Sequence, residues 1–223
     1  MASVNIAGDV SGAISIAAPS AAGSRVLTLP TGTDTLIGKA TTDTLTNKSI
    51  AATQLTGTIA AARLPAGCVL QVVQTLNNAN TSGSVAIPND NTIPQITEGA
   101  QYLTCTIVPK SAASNLLVQV ILYTSETTNT QNNGAAAIFR DATASAIAVG
   151  ALARPASVYL DGGMPTVLSI LTPSNSISST TFTVRAGLDN AGSALVMNTN
   201  ADGVYPKWGG VYYSGITITE VAA

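Results

Sequence analysis

The stretch from Ala40 to Gly67 constrains the fold most, because it contains almost no large side chains. A single chain of this composition cannot bury enough apolar surface to offset the entropy of ordering. Several identical chains wound around one axis can do so by sharing a thin core. Its apolar anchors recur every four or five residues, which fits neither a helix nor an alternating strand, and they are Leu45, Ile50, Leu55, Ile59 and Leu64. The stretch therefore predicts an oligomerising segment.

Charged residues are scarce throughout the chain. They make up 9% of its 223 residues, against a usual share of about a quarter, and the formal net charge is −2. Hydroxyl and amide side chains must then cover the surface, which is typical of a protein that buries much of itself against its own copies. Because the cationic residues are scattered, nucleic acid is not an expected partner.

Membrane insertion is not expected either. The most apolar run, from Asn115 to Tyr123, is far shorter than the roughly 20 residues that cross a bilayer. The N-terminus lacks the basic start and apolar core of a signal peptide. We therefore expect synthesis and assembly in a cytoplasm.

The composition changes near Gly67, which predicts two unequal parts. Residues 1–39 contain short alternating pieces, such as Val4 with Ile6 and Ile14 with Ile16, separated by Gly and Pro. These pieces predict strands of a few residues that have a poor core of their own.

Residues 68–223 contain about nine or ten short strand patterns with a turn signal about every ten residues. The run from Leu116 to Tyr123 is apolar on both faces and predicts a central strand covered on both sides. Other strands alternate, with apolar faces formed by Leu103, Cys105 and Ile107, by Phe182, Val184 and Ala186, and by Ile216 and Ile218. We expect an all-β fold, in which an intertwined N-terminal β shaft precedes an antiparallel, jelly-roll-like β-sandwich head.

Several phrases of the chain resemble a known family. ATTDTLTNKSI followed by AATQLTGTIAAARLPAG resembles the shaft repeats of bacteriophage tail fibres, and GDVSGAISIAAPSAAGSRVLTLPTGTDTLIGKA is similar to the segments that precede such repeats. This resemblance covers residues 8–67. In the C-terminal part, ITEGAQYLTCTIVPKSAASNLLVQV and YYSGITITEVAA resemble the compact β heads that cap small phage fibres.

The resemblance implies a homotrimeric virion protein of the phage tail. Residues 1–39 would attach to a tail or baseplate protein, residues 40–67 would form the trimeric shaft, and residues 68–223 would form a head that contacts a host cell-surface glycan or protein. Two other identities stay open: a capsid head fibre or decoration protein, and a tail spike that degrades polysaccharide.

The residue inventory restricts catalysis and metal binding. The absence of His excludes Ser–His and Cys–His arrangements and removes the commonest zinc ligand. Cys68 and Cys105 each lie in an apolar run and are expected to be buried thiols, and a bridge between them is the alternative. We expect no enzymatic activity, no catalytic residue, no metal and no cofactor. The acids that could still converge for glycoside hydrolysis are Asp141, Asp161, Asp189 and Asp202.

Oxygen donors cluster near the C-terminal end of the chain without the spacing of an EF-hand, and turn formation explains them better than metal binding. They are Asp189, Asn190, Asn198, Asn200 and Asp202. Arg140 and Arg185 lie within strands, where each is expected to pair with an acid or to reach solvent.

The segment YPKWGGVYY holds four of the nine aromatic residues, including the only Trp. Exposed aromatic faces stack on sugar rings, so its candidate receptor-binding residues are Tyr205, Lys207, Trp208, Tyr212 and Tyr213. The alternative is that these rings pack between subunits. The polar loops Asn77–Ser84 and Thr124–Gly134 are rival contact sites, because loop tips often carry recognition.

Overall fold

The computed structural model describes residues 3–7, 13–17, 31, 49–51, 53, 56–57, 59–127, 132–152, 163–200 and 207–223. The chain divides into two compact units, Met1–Thr56 and Gly57–Ala223. Most of the predicted anchor and shaft, over residues 1–39 and 40–67, lies outside the described residues.

The first unit contains a β-hairpin. Strand β1 covers Ser3–Ala7 and strand β2 covers Ala13–Ala17, and the two pair antiparallel with Val4 opposite Ile16 and Ile6 opposite Ile14. The two short strands predicted from these apolar pairs are confirmed.

The described residues of the second unit contain ten strands: β3 Val69–Asn77, β4 Thr81–Gly83, β5 Ala100–Ile107, β6 Asn115–Glu126, β7 Gly134–Arg140, β8 Ala148–Ala151, β9 Met164–Pro173, β10 Thr180–Leu188, β11 Leu195–Met197 and β12 Ser214–Val221. Within the described residues, the helical content is limited to short 3₁₀ turns such as Ala61–Arg63 and Lys207–Gly210. The all-β prediction is confirmed. No described helix has the length and apolar character needed to cross a membrane.

Two antiparallel sheets organise this unit. The strand order of the first sheet is β3–β12–β6–β9. Two short strands extend this sheet, because β11 pairs with β6 and β4 pairs with β11. Strand β11 lies on the same edge of β6 as β12, because β9 occupies the other edge as far as Thr124. The second sheet runs β5–β10–β7–β8.

The inward side chains of both sheets form one apolar cluster. Alternation in the sequence places these residues, since successive side chains of a strand point to opposite faces. The predicted inward faces of β5, β10 and β12 are confirmed, because the cluster contains Leu103, Cys105, Ile107, Phe182, Val184, Ala186, Ile216 and Ile218. Cys105 is a buried free thiol as expected, whereas Cys68 is only half-buried.

Strand β6 is central in its sheet, as its sequence predicted, but the described part of the chain covers only one of its faces. Leu116, Val118, Val120 and Leu122 are fully buried. Ile121, on the other face, keeps 45% of its surface exposed. The prediction of a strand covered on both sides is therefore wrong for the part of the chain that the structure describes.

Candidate functional site

The first sheet has two distinct ends. The chain enters it at Val69, which is the register partner of Val221. The N–H of Gly67 donates to the carbonyl of Ala222, and the N–H of Ala222 donates to the carbonyl of Cys68, both at 2.8 Å. The entry and the C-terminus therefore lie at one end of the sheet, which we call the entry end.

The opposite end, which we call the far end, lies where Asn77 pairs with Ser214. A strand rises about 3.3 Å per residue, so the length of β3 separates the two ends by roughly 26 Å. The segment from Lys207 to Tyr213 precedes β12 and is thereby placed at the far end.

Three aromatic rings are in contact at the far end. The ring centroids of Tyr123 and Tyr212 are 4.5 Å apart, and Trp208 meets Tyr212 edge-on at 4.8 Å. The hydroxyl of Tyr212 donates to the carbonyl of Gly163 at 2.8 Å. Burial, with a smaller contribution from Tyr123, raises the pKa of Tyr212 to about 12. Tyr212 is therefore a neutral, structural support for the ring of Trp208.

Trp208 presents its indole to solvent on an unusual backbone. Its side chain is 64% exposed. Its φ of 51° and ψ of 45° lie in the left-handed region, which costs a non-glycine residue about 1–2 kcal/mol. Gly209 and Gly210, with φ of 65° and 82°, continue this left-handed run. An exposed Trp held in a strained conformation is typical of a recognition site.

The loop that follows β3 contacts the same segment. The side-chain amide of Asn78 donates to the carbonyl of Gly210 at 2.9 Å. The buried amide of Asn198 donates to the carbonyls of Asn77 and Ala79 at 2.7 and 3.1 Å. The structure therefore brings together the aromatic segment and the loop Asn77–Ser84, which the sequence offered as rivals.

Asn198 is a structural hub of this end. Its side-chain oxygen accepts from the hydroxyl of Ser214 at 2.7 Å, and that hydroxyl accepts from the N–H of Tyr123 at 2.9 Å. Because both ends of its amide are occupied by protein groups, Asn198 is accounted for as a structural residue. No group of three or more His, Cys, Asp or Glu side chains suited to hold a metal occurs in the described part of the chain.

The predicted site residues are placed unevenly. Trp208 and Tyr212 are in contact, Tyr213 follows Tyr212 in the chain and is 41% exposed, and Lys207 starts the 3₁₀ turn. Tyr205 lies outside the described residues. Tyr123 was not among the predicted site residues. The available signal was its position, because this aromatic residue ends the apolar run of β6 and precedes a polar loop.

The loop Thr124–Gly134 contributes a separate polar network, although residues 128–131 are outside the described range. The amide of Asn132 donates to the carboxylate of Glu126 and, at 3.1 Å, to the hydroxyl of Ser193. Asn190 donates to the side-chain oxygen of Asn132 at 2.6 Å. These bonds tie the loop to the β10–β11 connection.

The candidate catalytic acids do not converge where they are described. Asp141 accepts from the N–H of Thr181 at 2.7 Å, at the start of β10, whereas Asp189 follows the last residue of β10. The length of β10 separates them by roughly 26 Å, far beyond the spacing of a glycosidase pair. Asp161 and Asp202 lie outside the described residues.

The two strand arginines bind carbonyl oxygens. Arg185 is half-buried and donates to the carbonyls of Glu98 and Gly99 at 2.9 and 2.7 Å. Arg140 donates to the carbonyls of Pro173 and Ser174, lies over the ring of Phe182, and is 3.8 Å from the carboxylate of Asp141.

Comparison with known proteins does not assign the chain to a family. No protein-family model matches the chain, and no curated protein sequence matches it. Among solved structures, the chain is similar to dimeric latent PorU from Porphyromonas gingivalis, with 12% identity and a TM-score of 0.34 over 71% of this chain. The chain spans 14% of the length of that protein, and a likeness this weak carries no argument about function.

Proposed function

We propose that this protein is a short phage tail fibre, a non-enzymatic virion protein that attaches the phage to its host through a homotrimeric C-terminal head. The observation that carries the proposal is the placement of Trp208. It is exposed at the far end of the sheet, opposite to the point where the chain enters from the predicted shaft. A fibre head needs this arrangement, because one end faces the virion and the other faces the cell.

The head proposed here is a jelly-roll-like sandwich. The strand orders β3–β12–β6–β9 and β5–β10–β7–β8 are those of the two four-stranded sheets of a jelly roll, and their inward residues share one core. In the proposed fibre, residues 1–39 bind a tail or baseplate protein and residues 40–67 form the trimeric shaft. Assembly takes place in the host cytoplasm and requires no cofactor.

The proposed recognition chemistry is stacking. The C–H face of a sugar ring, or an apolar side chain of a surface protein, packs on the indole of Trp208, which Tyr212 supports from the side. The exposed Tyr213 and the polar loop around Asn78 supply hydrogen bonds beside it. Three heads on one fibre add avidity, so that each single contact can be weak.

Replacing the indole tests this site. We expect Trp208→Ala to reduce adsorption of the purified fibre to host cells by about tenfold or more, because one stacking contact is lost from each of three heads. The free energy of unfolding should change by less than about 1 kcal/mol, because the ring is exposed and its backbone is strained. Adsorption is measured by flow cytometry and unfolding by circular dichroism.

Ile177→Ala is the matched control. Ile177 is 63% exposed and follows β9 at the entry end. The substitution therefore removes a comparably exposed apolar side chain at a distance from the proposed site. Adsorption of this variant should equal that of the wild type. Equal adsorption of Trp208→Ala and the wild type would contradict the proposed site.

A further inference from the structure

The outward face of the first sheet carries no Asp, Glu, Lys or Arg within the described residues of β3, β12, β6 and β9. The register sorts its residues into rows across the sheet. The lower apolar row contains Val72, Leu117 and Leu171, with Thr219 of β12 among them, and the upper apolar row contains Leu76, Ile121 and Val167, with Gly215 of β12 among them. Between them lies a polar row of Gln74, Thr217, Gln119 and Ser169.

The apolar rows are open in the single chain. Val167 is 67% exposed and Leu171 is 59% exposed, and of the six apolar residues only Leu117 is half-buried. Monomeric proteins rarely leave a continuous apolar surface of this kind uncovered. A partner with charged groups in the contact would have to desolvate them against a face that offers no counter-charge. The occupant must therefore be uncharged where it touches.

We infer that this face is the contact between copies of the chain, with three copies placing their first sheets around one axis. The inference rests on the proposed trimeric fibre and names the surface that holds its heads together. A second copy satisfies the requirement above, because it brings the same uncharged rows.

The width of the sheet fits three copies. Four strands spaced about 4.8 Å apart make a face about 19 Å wide. Three such faces closed into a triangular prism lie about 5.5 Å from the axis, close to half of the roughly 10 Å at which two sheets pack. Side chains therefore fill the centre without leaving a channel. Each face covers about 500 Å² in projection, so the three faces together bring about 1,500 Å² towards the axis.

This arrangement also sets the direction of the head. The strands run along the axis from the entry end to the far end, so each row becomes a layer around the axis. Two apolar layers enclose a layer of amides and hydroxyls, which can hydrogen-bond to one another between copies. The three copies of Trp208 then surround the tip.

Cysteine accessibility tests the inference on the full chain. Ser169 is exposed at the β9 end of the polar row, and Ser169→Cys changes little in size. Val149 is 46% exposed on β8 of the second sheet, and Val149→Cys is the matched control. Each variant is sized by light scattering and treated with a bulky maleimide, and peptide mapping separates the new thiol from Cys68 and Cys105. We expect a three-chain mass, with S169C labelled about tenfold or more slowly than V149C, because access requires opening of the contact.

The outcomes separate this inference from the proposed function. A three-chain mass with S169C labelled as fast as V149C would overturn the contact and leave the trimer standing. A single-chain mass would overturn both. In a prism, β9 of one copy lies beside β3 of the next, so mild oxidation of the double variant S169C/Q74C should give covalent trimers on a denaturing gel. Protection of S169C without such cross-links would assign the face to another occupant, residues 1–56, and would also overturn the inference.

Discussion

The outward faces of the two sheets differ in what covers them. On the second sheet, the segment from Val85 to Gly99 crosses the outward side of the strands. Ile87 donates its N–H to the carbonyl of Leu188 at 2.9 Å and is 1% exposed, and Arg185 holds the end of the segment through the carbonyls of Glu98 and Gly99. The outward face of the first sheet has no such cover among the described residues, and Val167 there is 67% exposed.

The two outward faces also differ in whether they contain charged residues. The segment from Val85 to Gly99 covers the outward face of the second sheet, and this face includes a cation. The guanidinium of Arg185 is satisfied there because it donates to backbone carbonyls of the segment. Where no described segment covers the sheet, charge is absent and apolar rows remain. Exposed apolar rows of this kind are typical of an interaction surface.

The largest change in stability is expected when the segment from Val85 to Gly99 is displaced from the second sheet. A Cβ at Gly187 would lie 2.4 Å from the carbonyl oxygen of Val85 and 2.9 Å from the nitrogen of Ile87. Because both are backbone atoms, the segment must move away. We expect Gly187→Ala to lower the free energy of unfolding by about 3 kcal/mol, measured by urea denaturation followed by circular dichroism.

Gly192→Ala is the control for this change. Gly192 lies in an exposed turn, where an added Cβ would meet only the side-chain oxygen of Asn190, at 3.3 Å. Its unfolding should shift by less than about 0.5 kcal/mol. Equal stability of the two variants would show that the segment is not held closely on the second sheet.

A smaller change in stability is expected from a buried carboxylate that connects the two sheets. Glu220 of β12 is fully buried, and its carboxylate accepts from the backbone N–H groups of Lys110 and Ser111 and from the side chains of Ser114 and Gln71. These residues include the turn that joins β5 to β6. Burial alone would raise the pKa of Glu220, but the hydrogen bonds outweigh it and hold the pKa below its ordinary value of 4.5.

The depressed pKa has a definite consequence for stability. Above pH 4.5, Glu220 is ionised in both the folded and the unfolded chain, and its bonds contribute in full. As the pH falls below 4.5, the unfolded chain takes up the proton first, so the free energy of unfolding decreases until the folded-state pKa is passed. We expect Glu220→Gln to cost about 2 kcal/mol near neutral pH and to flatten this acid dependence, as measured by denaturation at a series of pH values.

Glu220 is buried and lies on neither outward face, so its substitution tests the interior separately from the two outward faces. The solution mass near neutral pH should stay that of the wild type. An acid dependence as steep in E220Q as in the wild type would mean that other carboxylates cause it.

The strands and their inward faces could be predicted because alternation is a local property. Leu103, Cys105 and Ile107 point inward whatever covers the opposite side. The run Leu116–Tyr123 shows the limit of such reasoning. Its double apolar character predicted cover on both faces, but the sequence does not state whether that cover comes from the same chain.

The candidate site was predictable in part. The composition of YPKWGGVYY indicated where aromatic residues gather, but not which ring is exposed. That depends on the left-handed backbone at Trp208 and on Tyr212 binding the carbonyl of Gly163. Tyr123 and Asn198 come from distant parts of the sequence, so only the tertiary structure brings them to the far end.

The mass of the purified chain in solution tests the central claim, that the uncovered first sheet packs against copies of the chain. One chain weighs 22.3 kDa. Light scattering should give three times this value across the concentrations at which the protein is soluble. The mass of a single chain would contradict the claim, because the apolar rows of the first sheet would then remain exposed to water.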